Sequence, residues 1–170
     1  IGVSPTPSVD IRKSVSIAGG SESSDAGTGP QVFPGEAITY YIDVANTSLV
    51  NVNDFVLEEH FPTSLATGWT CMYAIGVEII SEHSGDYNLG CTIEDGLVVT
   101  TTEIKPDEVL HVRLTGLTTP SALATYCNEA EVMLDDITPP ETARACFTTV
   151  SPNADLALTK TVDPNQATIG

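Results

Sequence analysis

Three polar residues interrupt the apolar faces of three separate segments of this 170-residue chain. Side chains alternate with period two along a strand. In VDIRKSVSI (Val9–Ile17), Lys13 therefore shares its face with valine and isoleucine. Glu59 falls in the same way on the apolar face of NDFVLEEHF, and Asn128 falls on that of TYCNEAEVML. An amine, a carboxyl group and a carboxamide are thus expected to point into one interior.

These three groups are the reactants of an intramolecular isopeptide bond. Burial favours the neutral amine of Lys13 and the protonated carboxyl group of Glu59. The amine can attack the side-chain carbonyl carbon of Asn128 while Glu59 transfers the protons, and ammonia leaves. The strands hold the reactants in contact, so the reaction needs no substrate and no cofactor. The pattern indicates a protein that crosslinks itself once and is not an enzyme.

A simpler interpretation of the same residues stays open. An inward-pointing lysine protects an edge strand against aggregation, and Lys13 could serve in that way. It could also form an ion pair with Glu59 or Glu58, leaving Asn128 hydrogen-bonded to the backbone. An unpaired buried charge is costly, so both interpretations require these polar groups to find partners if they are inside.

The phrase around the lysine occurs twice in the chain. VSPTPSVDIRKSV begins at Val3, and VSPNADLALTKTV follows at an offset of 147 residues with Lys160 at the equivalent position. A repeat of this length is typical of successive whole domains and not of a solenoid. We therefore expect an immunoglobulin-like domain over 1–150. Residues 151–170 then form either the first strand of a following repeat or a strand donated to a neighbouring subunit.

The elements that must position these residues are strands. Short alternating runs rich in Val, Ile, Thr and Tyr are separated by Gly, Pro, Asn and Asp clusters. This pattern predicts an all-β fold, an immunoglobulin-like antiparallel β-sandwich of about 8–9 strands. The predicted strands are Val9–Ile17, Ala37–Asn46, Asn53–Phe61, one within Gly68–Glu82, Leu97–Ile104, Val109–Leu117, Thr125–Leu134 and Ala143–Val150, with a long polar loop over Gly19–Pro34.

Four cysteines indicate disulfides. A hairpin that turns through DDITPP brings Cys127 opposite Cys146, and elimination then pairs Cys71 with Cys91. The same hairpin register places opposite one another Glu129 and Arg144, Asn128 and Ala145, and Tyr126 and Phe147. Apolar residues face apolar residues and opposite charges meet, which favours the register. Free buried thiols are the alternative, whereas two disulfides imply an extracellular or cell-surface location.

Composition argues against several partners and cofactors. The chain carries 6 basic and 23 acidic residues, for a net charge of −17, so phosphate-rich partners such as nucleic acid are repelled. No apolar run reaches the roughly 18–20 residues of a membrane helix, and no Cys or His spacing fits zinc. Calcium through Ser21–Asp25 or through Asp135 and Asp136 is conceivable, although no calcium-loop pattern occurs. We expect no cofactor and no metal.

Several motifs resemble those of the bacterial conserved-repeat family, domain of unknown function eleven. PGEAITYYIDVANTS is similar to its central signature, and ADLALTKTVDP to its opening strand. LEEHFP resembles its acidic corner, with Glu59 at the acidic position, and YCNEAEV resembles its closing strand. WTC followed by GC resembles its cysteine-bearing subgroup. The resemblance covers most of residues 8–134, and also 154–163.

The resemblance implies tandem immunoglobulin-like repeats on secreted or surface-anchored proteins, used as stalks, fibres and adhesin shafts. We therefore expect a structural repeat or subunit of an extracellular stalk, fibre or filament, with other copies of itself as partners through residues 151–170. Two features depart from the family pattern. Glu59 replaces the usual aspartate, and the loop over 19–34 is longer than expected.

Two other functions remain as alternatives. The loops at 19–34 and 71–91 could make the chain a ligand-binding or adhesin module, with or without calcium. A hydrolase is not expected, although Ser81, His83 and Asp86 lie close together in SEHSGD. No Gly-x-Ser-x-Gly elbow occurs, and proximity in sequence does not make a catalytic triad.

Overall fold

A computed structural model gives the fold of residues 5–18, 20–60, 66–77, 87–94, 97–99, 103–119, 123–134 and 137–151. The described residues form eleven strands and no helix. Along the chain the strands are β1 (Val9–Ile17), β2 (Gln31–Val32), β3 (Ala37–Asn46), β4 (Val56–Glu59), β5 (Ala66–Gly76), β6 (Leu89–Gly90), β7 (Thr92–Glu94), β8 (Leu97–Val99), β9 (Val109–Thr118), β10 (Thr125–Leu134) and β11 (Ile137–Thr149).

The strands form two sheets. One has the order β1-β3-β9-β5-β6, and the other has the order β2-β11-β10-β4-β8-β7. Every strand pair is antiparallel except β2 with β11, which is parallel. The predicted immunoglobulin-like β-sandwich is therefore confirmed.

The core lies between the sheets and follows from the alternation of the strands. Along β3, Ile38, Tyr40, Ile42 and Val44 point inward and are almost completely buried. The facing sheet supplies a matching set of buried side chains. That set includes Leu57, Ala130, Val132, Ala145 and Phe147.

The segment predicted as a long loop over Gly19–Pro34 is only partly a loop. Its second half runs along the edge of β11, where the carbonyl oxygens of Asp25 and Pro30 accept hydrogen bonds from the amides of Cys146 and Thr148. Strand β2 then continues this contact in parallel register. Sequence alternation did not reveal the pairing because the bonds use the backbone of a polar, glycine-rich segment.

The hairpin between β10 and β11 also differs from the expectation. Strand β11 begins at Ile137, not at Ala143, and contains Pro139 and Pro140. The prolines lie where the register shifts between Val132 and Leu134, and proline is tolerated at such irregularities because a ladder hydrogen bond is already missing there. In the middle of the chain, the strand predicted over 53–61 corresponds to the shorter strand β4. The strand predicted over 97–104 corresponds to β8.

The part of the chain that the structure describes contains no helix long and apolar enough to cross a membrane.

Gly29 offers a test of how the β11 edge is covered. Its φ is +60°, and a Cβ atom there would lie in collision with the carbonyl oxygen of Cys146. Gly35 has a φ of +88° but open space around the Cβ position, so it is a matched control. Both alanine variants incur the left-handed backbone cost of about 1–2 kcal/mol. We expect Gly29→Ala to lose about 1–3 kcal/mol more in the free energy of unfolding, because only this variant is overpacked. Equal losses in denaturant titrations would contradict the contact.

Candidate functional site

Lys13 lies in the interior of the sandwich. It is the central residue of β1 and is paired in register with Ile42 of β3. Ile11 and Val15 flank it on the same buried face, and its own side chain has no solvent exposure. Strand β1 is the edge of its sheet, but Lys13 points across the core toward the other sheet and not along the edge.

Glu59 receives the lysine from the opposite sheet. It lies opposite Ala130 in the pairing of β4 with β10, and it is 1% exposed. The Nζ atom of Lys13 donates to Oε1 at 2.5 Å and to Oε2 at 2.7 Å. Glu58 was the other carboxylate considered for this pairing. It directly precedes Glu59 in β4 and is partly exposed. The two sheets are thus joined by a bidentate contact between buried groups.

Burial shifts both members of this pair toward their neutral forms. Desolvation lowers the pKa of the Lys13 amine, although the Glu59 carboxylate opposes the shift. Desolvation also raises the pKa of Glu59, and Lys13 opposes that shift in turn. Both directions favour transfer of one proton from the ammonium group to the carboxylate, because a neutral pair avoids the cost of two buried charges.

Asn128 completes the buried polar group and is its most weakly hydrogen-bonded member. It has no solvent exposure and lies opposite Ala145 in the pairing of β10 with β11. Its carboxamide lies near enough to Glu59 and to the Tyr40 hydroxyl to influence the pKa of each. Yet neither Nδ2 nor Oδ1 forms a hydrogen bond of normal geometry with any described residue. A buried amide without any partner costs about 1–3 kcal/mol, so the poor geometry of these contacts makes the amide less stabilising than a fully hydrogen-bonded one would be.

Tyr40 is a member of the site that the sequence did not indicate. The Nζ atom of Lys13 lies 4.8 Å from the centre of its ring, within the range of a cation–π contact. Burial raises the pKa of its hydroxyl, so the group stays protonated, and the contact of this hydroxyl with the Asn128 carboxamide is not a hydrogen bond of normal geometry. The ring also stacks on Trp69, with centroids 6.1 Å apart. An aromatic residue on an apolar face gives no signal in the sequence, because it is typical of any core.

The arrangement has the components of an amide-forming reaction. A lysine whose neutral amine is favoured lies against a carboxyl group whose protonated form is favoured, and a carboxamide without a hydrogen bond of normal geometry lies beside that carboxyl group. The three side chains come from β1, β4 and β10, so a bond formed here would join the two sheets.

Both disulfides are present. Cys127 and Cys146 lie opposite each other with Cα atoms 4.0 Å apart, and Cys71 and Cys91 have a Cα separation of 5.0 Å. The residue pairs around Cys127 and Cys146 match the predicted register. They are Glu129 with Arg144, Asn128 with Ala145, and Tyr126 with Phe147.

A second buried polar pair was also not indicated by the sequence. It lies on the outer face of the sheet that contains β1, β3 and β9. His111 Nδ1 lies 2.6 Å from Oδ1 of Asp43, and the two residues lie directly opposite each other on β9 and β3. Both are buried, although they point away from the core. Asp43 lies between inward-facing isoleucine and valine, so its alternation predicts an exposed residue. Only the register of two distant strands brings it to a histidine.

The carboxylates proposed for calcium are engaged within the protein where they are described. Backbone amides of Gly27 and Thr28 donate to Asp25, and these hydrogen bonds lower its pKa. The Glu22 carboxylate accepts a hydrogen bond from the Ser14 hydroxyl. Within the described ranges, no group of three or more His, Cys, Asp or Glu side chains is arranged to hold a metal ion.

Several residues singled out from the sequence lie outside the described residues. The sites concerned are Lys160 and the rest of 152–170, the group Ser81, His83 and Asp86, and the pair Asp135 and Asp136. The loop at 71–91 is described only over 71–77 and 87–91.

No protein-family model matches this chain. No curated protein matches it in sequence.

Several solved structures align with this chain at low similarity. A family 123 glycoside hydrolase from Clostridium perfringens aligns over 85% of this chain with a TM-score of 0.46 and 12% identity, and this chain spans 27% of the hydrolase. The CARDB domain of a Pyrococcus furiosus protein aligns over 85% of this chain and 89% of its own length, with a TM-score of 0.40 and 12% identity. The N-terminal domain of PorA aligns over 84% of this chain and 97% of its own length, with a TM-score of 0.42 and 13% identity. Such scores bear on the fold and carry no argument about function.

The shifted pKa of Glu59 predicts a specific pH dependence once its lysine is removed. In Lys13→Met, the folded protein holds a proton on Glu59 that the unfolded chain releases above a pKa of about 4.3. The folded-state pKa of Glu59 is raised. The stability that its bound proton contributes is therefore complete below the unfolded pKa and is lost as the pH rises toward the folded pKa. We expect the free energy of unfolding to fall by up to about 1.4 kcal/mol per pH unit over that interval.

The double variant Lys13→Met with Glu59→Gln is the matched control. It retains all the other carboxylates, so the difference between the two variants isolates Glu59. Urea titrations at successive pH values measure this difference. Parallel curves for the two variants would show that Glu59 is not held in a desolvated site.

Proposed function

We propose that this chain is a structural repeat of an extracellular stalk, fibre or filament, whose sandwich is closed by a self-formed isopeptide bond between Lys13 and Asn128. The observation that carries the proposal is the buried ion pair of Lys13 and Glu59 beside an amide that forms no hydrogen bond of normal geometry. A protein that used these groups for stability alone would be expected to satisfy the amide as well.

The reaction balances without an added reactant. Lys13 transfers a proton from Nζ to Glu59, and the neutral amine attacks Cγ of Asn128. The protonated Glu59 donates a hydrogen bond to Oδ1 as negative charge develops there. The Nζ–Cγ bond forms, a second Nζ proton passes through Glu59 to Nδ2, and the Cγ–Nδ2 bond breaks to release ammonia. Holding these groups in contact can contribute roughly 7–11 kcal/mol toward the barrier.

The mass of the intact, reduced chain tests the bond directly. We expect the folded protein to be lighter than its sequence mass by one molecule of ammonia, and Asn128→Ala to have its full mass. By analogy with crosslinks that close loops of about a hundred residues, losing the bond removes about 4–5 kcal/mol of stability. A wild-type protein with the full sequence mass would exclude the bond.

Two further variants separate the role of each group. Glu59→Gln keeps the amine and the amide but removes the proton carrier, so the full sequence mass is expected. Asn128→Asp keeps the shape of the site, and its condensation would release water in place of ammonia. Loss of ammonia in Glu59→Gln would mean that Glu59 has no part in the reaction.

The repeated phrase supports a chain of domains in series. Strand donation would place residues 154–163 beside β3 of a neighbour, but in this domain β1 already pairs with β3 over its full length. A donated strand would have to displace a strand that carries its own buried lysine. We therefore favour a following repeat that begins near Leu156, with Lys160 in the position of Lys13.

The distribution of exposed apolar side chains is consistent with end-to-end packing of such repeats. We call one end of the sandwich the N-terminal pole; there the amide of Thr47 donates to the carbonyl of Ser8. The opposite end is the C-terminal pole, where the amide of Val150 donates to the carbonyl of Val32. Among the described residues, most large exposed apolar side chains lie at these poles. Phe33, Leu117 and Leu123 lie at the C-terminal pole, and Leu49 and Val77 at the N-terminal pole.

The short connection between repeats would bring these poles together. Only Ser151–Asp155 separate the end of this domain from the equivalent of β1 in the next copy. Five residues span at most about 17 Å when fully extended. The N-terminal pole of the next copy must therefore lie close to the C-terminal pole of this one, where their apolar residues can cover each other.

Two further observations support an extracellular scaffold over the alternatives. Both disulfides are compatible with an oxidising compartment, and the net charge of −17 favours a soluble surface. The loop at 19–34 was considered as a ligand-binding loop. Its backbone carbonyls accept hydrogen bonds from β11, and the Asp25 carboxylate accepts one from the Gly27 amide in the same loop. A scaffold that forms one crosslink in itself and catalyses no further reaction fits these features better than an enzyme.

Electron microscopy of the native material distinguishes a scaffold from a binding module. We expect extended strings or fibres of similar beads, because each copy connects to the next through a short linker. Compact, monodisperse particles would contradict the fibre and favour the loop-based binding module instead.

A further inference from the structure

We infer that the proposed Lys13–Asn128 bond and the Cys127–Cys146 disulfide act together as one covalent strap that carries tension across the domain. The inference rests on the proposed crosslink, and it adds a mechanical role in which the disulfide is as necessary as the isopeptide bond. It follows from three features of the structure: the direction of the terminal strands, the adjacency of two residues on β10, and the place of β11.

The first and last described strands run in the same direction between the two poles. Strand β1 begins at the N-terminal pole beside Ser8 and ends at Ile17, which pairs with Ile38 at the start of β3. Strand β11 ends at Thr149, next to the Val150 amide that defines the C-terminal pole. A pull on the two ends of the domain is therefore applied to β1 at one pole and to β11 at the other.

Strand β10 lies between these two loaded strands in the covalent path. Asn128 points into the core, toward the pair formed by Lys13 and Glu59, while Cys127 precedes it and points to the opposite side of the sheet. Cys127 is bonded to Cys146 of β11. One peptide unit thus separates a candidate link to β1 from an established link to β11.

The resulting path across the domain is short. It runs along Val9–Lys13, crosses to Asn128, passes to Cys127, crosses the disulfide, and leaves along Cys146–Thr149. Residues 14–126 and 129–145 lie outside it. Tension would pass through covalent bonds alone, so neither the hydrogen bonds nor the core of the sandwich would have to resist it.

Each link is insufficient without the other. With the isopeptide bond alone, force reaches β11 through the β10–β11 hairpin, and residues 129–145 can be pulled out once their hydrogen bonds break. With the disulfide alone, β1 is held only by noncovalent contacts, and most of the domain can unfold. Because Cys127 directly precedes Asn128, only one peptide unit lies between the two links, so almost no chain can be extended there.

Single-molecule stretching of the domain, held at its two ends, tests this strap through extension lengths. The oxidised wild-type protein is expected to show no unfolding step. Under reductant, it should lengthen by about 60 Å as residues 129–145 are released, at about 3.3–3.6 Å per residue. Oxidised Lys13→Met should lengthen by roughly 300 Å, because only the loops closed by disulfides remain protected.

Asn128→Ala is the second variant, since it leaves the ion pair of Lys13 and Glu59 intact and is expected to give the same long step as Lys13→Met. Extension lengths depend on which residues are crosslinked and not on how stable the variant is. A loss of stability in either variant therefore does not obscure the result.

The mass measurement separates failure of the strap from failure of the crosslink. If ammonia is retained, oxidised wild type will show the long step, and both the crosslink and the strap are wrong. If ammonia is lost but the oxidised protein still lengthens by about 60 Å, the crosslink stands and the disulfide does not carry the load, which overturns the strap. A reductant-dependent step in the crosslinked protein supports it.

Discussion

The buried pair of Lys13 and Glu59 is the interaction on which the rest of this structure depends. Two ionisable groups from opposite sheets meet in a core that is otherwise almost wholly apolar. Neither could remain there as a charged group without the other, because an unpaired charge in the core costs several kcal/mol. The pair therefore requires β1 and β4 to hold one register relative to each other across the sandwich. Burial also moves both groups toward their neutral forms, so the feature that specifies the packing is also the one on which the proposed crosslink depends.

Strand β10 links this site to the rest of the domain. Its inward-facing residues supply the weakly hydrogen-bonded amide of Asn128 and the apolar layer around Glu59, and its outward-facing Cys127 joins it to β11. The far edge of β11 is covered by the glycine-rich segment that follows β1. Strand β11 is thus joined to β10 by ladder hydrogen bonds and by a disulfide. Strand β1 belongs to the other sheet and reaches this side of the core through the contact of Lys13 with Glu59, whose strand pairs with β10.

Much of the fold could be predicted because alternation is a local property. The bounds of β1, β3 and β10 follow directly from their apolar periods, and the register of β10 with β11 followed from the cysteines and the charges beside them. Prediction failed where the sequence carried no side-chain signal. The residues along the edge of β11 pair through their backbones, the prolines of β11 lie at an irregularity of the ladder, and β6 and β7 are too short to show a period.

The sequence by itself determined that a lysine, a glutamate and an asparagine would face inward, because the direction of a strand side chain depends only on its place in the alternation. It could not determine which inward residues would meet, since contacts between sheets depend on packing over distances of tens of residues. Only the tertiary structure decided that Lys13 pairs with Glu59 and not with Glu58, that Lys13 lies over the ring of Tyr40, and that the Asn128 amide forms no hydrogen bond of normal geometry. The same reason explains the pair of Asp43 and His111, whose burial arises from the register of two strands that are distant in the chain.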